Sequence, residues 1–106
     1  MQLLLTLDER KVVTRALEKC LAQAQGDEFV RRRAAAGELL NHLIDNDMRF
    51  STDELDDLSD ILRACRREME SRIAAETDPH AKAALCEQQN ILEHAADKVT
   101  EACAMS

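Results

Sequence analysis

The chain has 106 residues, of which 45% are hydrophobic and 2% aromatic, and its formal net charge is −7. A chain of this length forms one core, so we expect a single domain over residues 1–106. Its two Gly and one Pro are too few for the many turns of a β-protein, so the composition favours long helices. Its negative charge repels phosphate backbones and anionic membranes, so we expect neither a nucleic acid nor a membrane as partner.

The first predicted helix begins with a capping box. Thr6 is followed three residues later by Glu9, and in this pattern the hydroxyl and the carboxylate bond each other's backbone amides at a helix N-terminus. The apolar spacing then predicts a helix from Leu7 to about Gln25, which Gly26 ends. The stripe residues are Val13, Leu17, Cys20 and Ala24.

The second predicted helix starts after Asp27, a capping residue, and runs from about Glu28 to Asp45. Its predicted inner stripe contains Phe29, Ala36, Leu40 and Leu43. Gly37 costs about 1 kcal/mol of helix propensity in its interior. Since the neighbouring residues are also small, we expect another backbone to cross close to Gly37.

The third predicted helix begins with a second capping box, formed by Ser51 and Glu54, and runs from about Thr52 to Glu76. Phe50 and Leu55 occupy the positions of a hydrophobic staple. The apolar residues recur in a strict alternation of three and four. They are Leu55, Leu58, Leu62, Cys65 and Met69.

The fourth predicted helix follows a break at Thr77, with Asp78 as its cap and Pro79 in its first turn. It extends to about Cys103. Its apolar seam contains one polar exception, Gln88. The seam residues are Ala81, Leu85, Gln88, Leu92, Ala95 and Val99.

The four helices form two hairpins of similar design, over about 6–46 and about 51–104. Both start with a capping box, and both carry a His in the second helix, at positions 42 and 94. We predict an all-α, antiparallel up-down four-helix bundle built from these two hairpins. A duplication would explain the similarity, and chance agreement among common residues is the alternative.

The cysteines and histidines supply the ligand types of a zinc site. Cys20 and Cys65 fall on core stripes, whereas a rotation of about 100° per residue places His42 and His94 facing outward. Because these four side chains cannot converge, we predict no metal and no cofactor. The sequence also contains no glycine-rich phosphate loop and no nucleophile elbow, so we predict that the protein is not an enzyme.

Apolar residues outside the seams predict a surface for a protein partner. The predicted contact residues are Leu3, Leu4, Leu5, Leu39, His42, Ile91 and His94. We interpret them as the contacts of a homodimer, because a two-fold interface uses one patch twice. The chain would then be a small regulatory or protein-interaction module. Its four cysteines do not demand disulfides in a chain that is long enough to form a core, and the sequence shows no signal-peptide pattern. We therefore expect it to be cytoplasmic, with reduced thiols.

Two other functions are left open by the sequence. One is a metal- or redox-responsive binding protein that uses Cys and His between subunits. The other is an acidic decoy for a nucleic-acid-binding partner, in which carboxylates imitate DNA phosphates. The decoy residues would be Asp53, Asp56, Asp57 and Asp60. Their simpler interpretation is that acidic side chains stabilise a helix N-terminus.

Overall fold

The computed structural model describes residues 3–23, 30–47 and 49–105. These residues form four helices: α1 (Leu7–Gln23), α2 (Val30–Ile44), α3 (Thr52–Ala75) and α4 (Pro79–Met105). Four predicted features lie outside the described residues: the stop at Gly26, the cap at Asp27, and the stripe positions Ala24 and Phe29. Among the helices described, none combines the length and the apolar composition needed to cross a membrane.

Helices that follow one another in the chain are antiparallel, because their opposite ends meet. The Arg10 guanidinium, at the start of α1, reaches the last turn of α2. The end of α2 contacts the start of α3 through His42 and Glu54. The Cys103 thiol, at the end of α4, donates to Asp56 Oδ1 at the start of α3, at 3.6 Å. The predicted four-helix arrangement is therefore confirmed.

The predicted helix starts are confirmed in atomic detail. The Thr6 amide donates to Glu9 Oε1 at 2.8 Å, and the Glu9 amide donates to Thr6 Oγ1 at 3.2 Å. The Ser51 amide donates to Glu54 Oε1 at 2.9 Å, and the Glu54 amide donates to Ser51 Oγ at 3.2 Å. At α4, the Asp78 carboxylate accepts from the backbone amide two residues later. Local side chains thus fix where α1, α3 and α4 begin.

The core is aliphatic except for Phe50 and draws on all four helices. Each fully buried Leu contributes roughly 2 kcal/mol relative to an exposed one. The residues with at most 1% exposure are Val13, Leu17, Ala36, Leu39, Leu55, Leu58, Leu62, Leu92, Ala95 and Val99. Cys20 and Cys65 pack against this cluster from its edge and stay partly exposed. The partial burial of Cys65 raises the pKa of its thiol, although nearby Lys19 acts in the opposite direction.

The inner stripe of α2 differs from the prediction. Leu39 is 1% exposed, so the prediction that it faces outward is wrong, and Leu40 is only partly buried. Leu39 lines an apolar pocket with residues of α1 and α3, so this side of α2 faces the other helices. Leu3 and Leu5, in the extended segment before α1, line the same pocket. Leu3 is itself a core residue, with 3% exposure.

The predicted close helix crossing at Gly37 is also wrong. A Cβ atom added to Gly37 would have no neighbouring heavy atom within 4 Å outside its own helical turns. Gly37 therefore does not mark a backbone contact. Gly37 occupies an ordinary helical position, in which Ala would fit without strain.

Candidate functional site

Both capping boxes lie at the end of the bundle where α1 and α3 begin and where α2 and α4 end. We call this the capped end and define it as residues 3–11, 38–47, 49–57 and 98–105. These segments contain ten carboxylates against four Lys and Arg side chains, a net charge of −6 with His neutral. The rest of the chain has 11 acidic and 10 basic side chains. The negative charge of the protein is therefore concentrated at the capped end.

Glu54 holds the start of α3 against the end of α2. Its Oε2 lies 2.6 Å from His42 Nε2, while His42 Nδ1 donates to the Asp47 carbonyl at 3.0 Å. The imidazole also packs on Phe50, with ring centroids 4.8 Å apart. His42 is thus held between two helices, and it does not face outward as predicted. Because both ring nitrogens face acceptors, the site favours the doubly protonated ring.

The pKa values of this pair shift in opposite directions. Burial lowers the pKa of His42, but the Asp47 carbonyl and the Glu54 carboxylate outweigh burial and raise it above 6.5. Burial raises the pKa of Glu54, but the Ser51 donors and the His42 charge outweigh burial and bring it below 4.5. The charged pair therefore persists over a wider pH range than the isolated side chains would allow.

Glu9 repeats this arrangement at the start of α1. Its side chain is buried, with 4% exposure of the residue, and Lys98 Nζ lies 2.5 Å from its Oε1. Burial raises the pKa of Glu9, but the Lys98 ammonium and the Thr6 donors outweigh burial and lower it. Each capping-box glutamate thus connects its own helix to the second helix of the other hairpin.

The end of α2 is closed by a Schellman motif. Asn46 adopts a left-handed conformation with φ of 56°. The Asp47 amide donates to the His42 carbonyl at 2.8 Å, and the Asn46 amide donates to the Leu43 carbonyl at 3.2 Å. Arg10 Nη1 then donates to Asn46 Oδ1 at 2.8 Å. The backbone at this corner of the capped end is therefore fixed by several hydrogen bonds.

Exposed apolar side chains are concentrated at the capped end. Among the described residues, the exposed large hydrophobic side chains are Leu4, Leu7, Ile44 and Met105, with exposures of 73%, 68%, 75% and 75%. All four lie at the capped end. Of these four, only Leu4 is among the contact residues that the sequence predicts. A sequence signal for Ile44 does exist, since it follows the buried Leu43 by one residue and so lies about 100° from the core direction.

The other predicted contact residues are not collected on one surface. Leu3 and Leu39 lie in the core, and Leu5 is partly buried against it. His94 is exposed, as predicted, whereas Ile91 is partly buried. Both belong to the side of α4 and not to the bundle end.

An open groove of about 250 Å³ runs between the end of α2 and the start of α3. It is lined by Glu38, Asn41, His42, Asp45, Asp47 and Glu54. In the part of the chain that the structure describes, no three His, Cys, Asp or Glu side chains are arranged to hold a metal ion. The groove instead presents hydrogen-bond acceptors and negative charge, which suit the ammonium or guanidinium end of a side chain.

A second open groove, of about 270 Å³, is lined by Arg63, Arg66, Arg67 and Glu70. Arg66 Nε lies 3.4 Å from Glu70 Oε1 and 3.7 Å from Glu93 Oε1. The central guanidinium is thus partly neutralised by its own neighbours on a solvated helix face. This groove has no exposed large hydrophobic side chain in its lining, so the capped end is the stronger candidate.

Comparison of the chain with protein-family models, with curated proteins and with solved structures gives no match. The candidate site is therefore defined by the residues of this chain alone.

Proposed function

We propose that this chain is a small, non-enzymatic protein-interaction module that binds its partner through the capped end. The observation that supports this function is the position of the exposed large hydrophobic side chains, Leu4, Leu7, Ile44 and Met105. Single exposed hydrophobic residues scattered over a monomer need no explanation. Their collection at one end of a bundle is typical of a binding surface.

The backbone that carries Leu7 and Ile44 is fixed by the caps of their helices. Leu7 directly follows the Thr6 capping residue, and Ile44 is the last helical residue before the Schellman motif. A partner that contacts them does not need to order this backbone, so the entropic cost of binding is reduced. This property favours an interaction surface over a segment that is exposed by chance.

Self-association, which the sequence analysis predicted, is a less favourable use of this end. Two copies that met through their capped ends would oppose a net charge of −6 with another of −6. Like charges across an interface disfavour association. We therefore propose a different protein as the partner, in the cytoplasm, where the cysteines stay reduced.

Site-specific photo-crosslinking in the native cell tests the proposed surface. A photoreactive amino acid placed at Leu7 or Ile44 should give a covalent adduct on irradiation. Ala83 is exposed at the opposite end of α4 and is the matched control, which should give none. The proposal would be contradicted if position 83 gave as much adduct as positions 7 and 44, or if neither of these two positions gave an adduct. An adduct of twice the chain mass would identify a second copy as the partner.

A further inference from the structure

We infer that the segment bound at the capped end is a cationic amphipathic segment of the partner protein. Its apolar side chains contact Leu7 and Ile44, and one of its Lys or Arg side chains enters the groove beside Ile44. The inference rests on the proposed function, because it names the chemistry of the partner at that same surface. It combines the exposed apolar side chains of the capped end with two carboxylates that the fold leaves without a cation.

Two cations of the capped end are already committed to the fold. Arg10 donates to the Asn46 side chain and to the Leu43 carbonyl, and Lys98 is paired with Glu9. Within the described part of the chain, no ion pair joins Glu38 or Asp45 to a cation. A partner with positive charge would supply what these carboxylates lack.

The apolar and acidic features are adjacent on α2. Ile44 directly precedes Asp45, which lines the groove, and Glu38 lies six residues before Ile44, about 9 Å along the helix. A bound helix that places an apolar residue on Ile44 carries neighbours three and four residues away on the same face. Such a neighbour can reach the groove when it is a Lys or Arg.

Other occupants fit this surface less well. A second copy would bring the same negative charge, and an anionic membrane or a nucleic acid would be repelled. A neutral apolar segment would cover Ile44 and remove water from the Asp45 carboxylate without giving it a partner. A cationic segment gains from both features of the surface.

Two synthetic helix-forming peptides test the chemistry of the partner on the full chain. One carries Leu and Lys three or four residues apart on the same helical face, and the second carries Glu at every Lys position. Fluorescence anisotropy measures the affinity, and ¹H–¹⁵N NMR spectra locate the bound peptide. The Leu/Lys peptide should bind with shifts centred on Leu7, Ile44 and Asp45, and the Leu/Glu peptide should bind at least about tenfold more weakly.

Two double variants with the same change in net charge separate this site from general attraction. Glu38→Gln with Asp45→Asn should weaken Leu/Lys binding by about fivefold, because both carboxylates line the groove. Glu18→Gln with Glu87→Gln changes two exposed side chains elsewhere and should weaken it by less than about twofold. Circular dichroism confirms that both variants are folded. Equal weakening by the two variants would overturn the inference, as would equal affinity for the Leu/Glu peptide.

The outcomes distinguish the partner class from the interaction function. A crosslinked adduct at Ile44 without Leu/Lys binding would overturn the cationic segment and leave the binding surface standing. Absence of both would overturn both proposals. Sedimentation equilibrium supplies a further check. If the protein is a dimer, and the double variant Leu7→Ser with Ile44→Ser is a monomer, the occupant of this surface is a second copy.

Discussion

Glu54 Oε2 accepts a hydrogen bond from His42 Nε2 at 2.6 Å, while Oε1 of the same carboxylate accepts from the Ser51 amide. One side chain therefore closes the capping box of α3 and attaches that helix to α2. Glu9 does the same for α1 and α4 through Lys98. The cationic partners of the two glutamates, His42 and Lys98, lie toward the C-terminal ends of α2 and α4. They differ in residue type and in their position along the helix. A pattern that begins as a local helix signal thus becomes a contact between the hairpins.

The stability of the protein should decrease as pH rises through the folded-state pKa of His42. This pKa is raised above the 6.5 of the unfolded state, so the stabilisation is complete below about pH 6.5 and is lost at higher pH. Glu54 faces the His42 ring from α3, and Asp47 faces it from the loop after α2. The groove around the ring is also lined by Glu38 and Asp45. The charges of Glu54 and Asp47 favour the charged ring. For a partly exposed pair we expect about 1 kcal/mol or less.

Urea unfolding at about pH 6 and about pH 9 measures this dependence. His42→Gln should remove it, whereas His94→Gln, at an exposed position of α4, should retain it. Glu54→Gln keeps an acceptor for the Ser51 amide but lacks the charge, so it should reduce the pH dependence without removing it, because the Asp47 carbonyl still favours the charged ring. An unchanged pH dependence in His42→Gln would show that this pair is not its origin.

Lys98→Met should destabilise the fold, because it leaves the buried Glu9 carboxylate without its cation. We expect about 1 kcal/mol, less than for a fully buried pair, since the Lys98 side chain is 40% exposed. The pKa of Glu9 is lowered from 4.5, so its contribution is present above about pH 4.5 and is lost as pH falls through the folded-state pKa. The difference between variant and wild type should therefore shrink in acid.

Denaturant unfolding over a pH series tests this prediction. Lys82→Met changes an exposed lysine near the other end of α4 and is the matched control, for which we expect little effect. An equal cost in both variants, or a cost of Lys98→Met that stays constant into acid, would be inconsistent with the Glu9 contact.

Gly37→Ala should stabilise the protein by about 1 kcal/mol, because Ala has the higher helix propensity and its Cβ meets no neighbouring atom. Thermal and urea unfolding measure the gain. Ala34→Gly, at an exposed position of the same helix, is the reciprocal control and should lose a similar amount. A loss of stability in Gly37→Ala would mean that a backbone does approach this residue closely.

The helix starts could be predicted because they depend on residues three positions apart. Thr6 with Glu9 and Ser51 with Glu54 form their bonds within one helical turn. The side chain of α2 that reaches the centre of the core depends instead on distant parts of the chain. Leu39 and Leu40 both fit a helical stripe, and Leu39 is the one that lines a pocket with α1, α3 and the segment that contains Leu3. Repeat-like sequence features therefore identified the bundle but not the surface that it leaves exposed.

The distinction between adjacent leucines on α2 gives the last prediction. Leu39→Ala should cost about 2 to 5 kcal/mol, because it opens a cavity in the core. Leu40→Ala removes the same atoms at a partly buried position, so its cost should be clearly smaller. Urea unfolding of both variants gives the comparison. Equal costs, or a larger cost for Leu40→Ala, would contradict this prediction and would favour the predicted inner stripe, in which Leu40 faces the core.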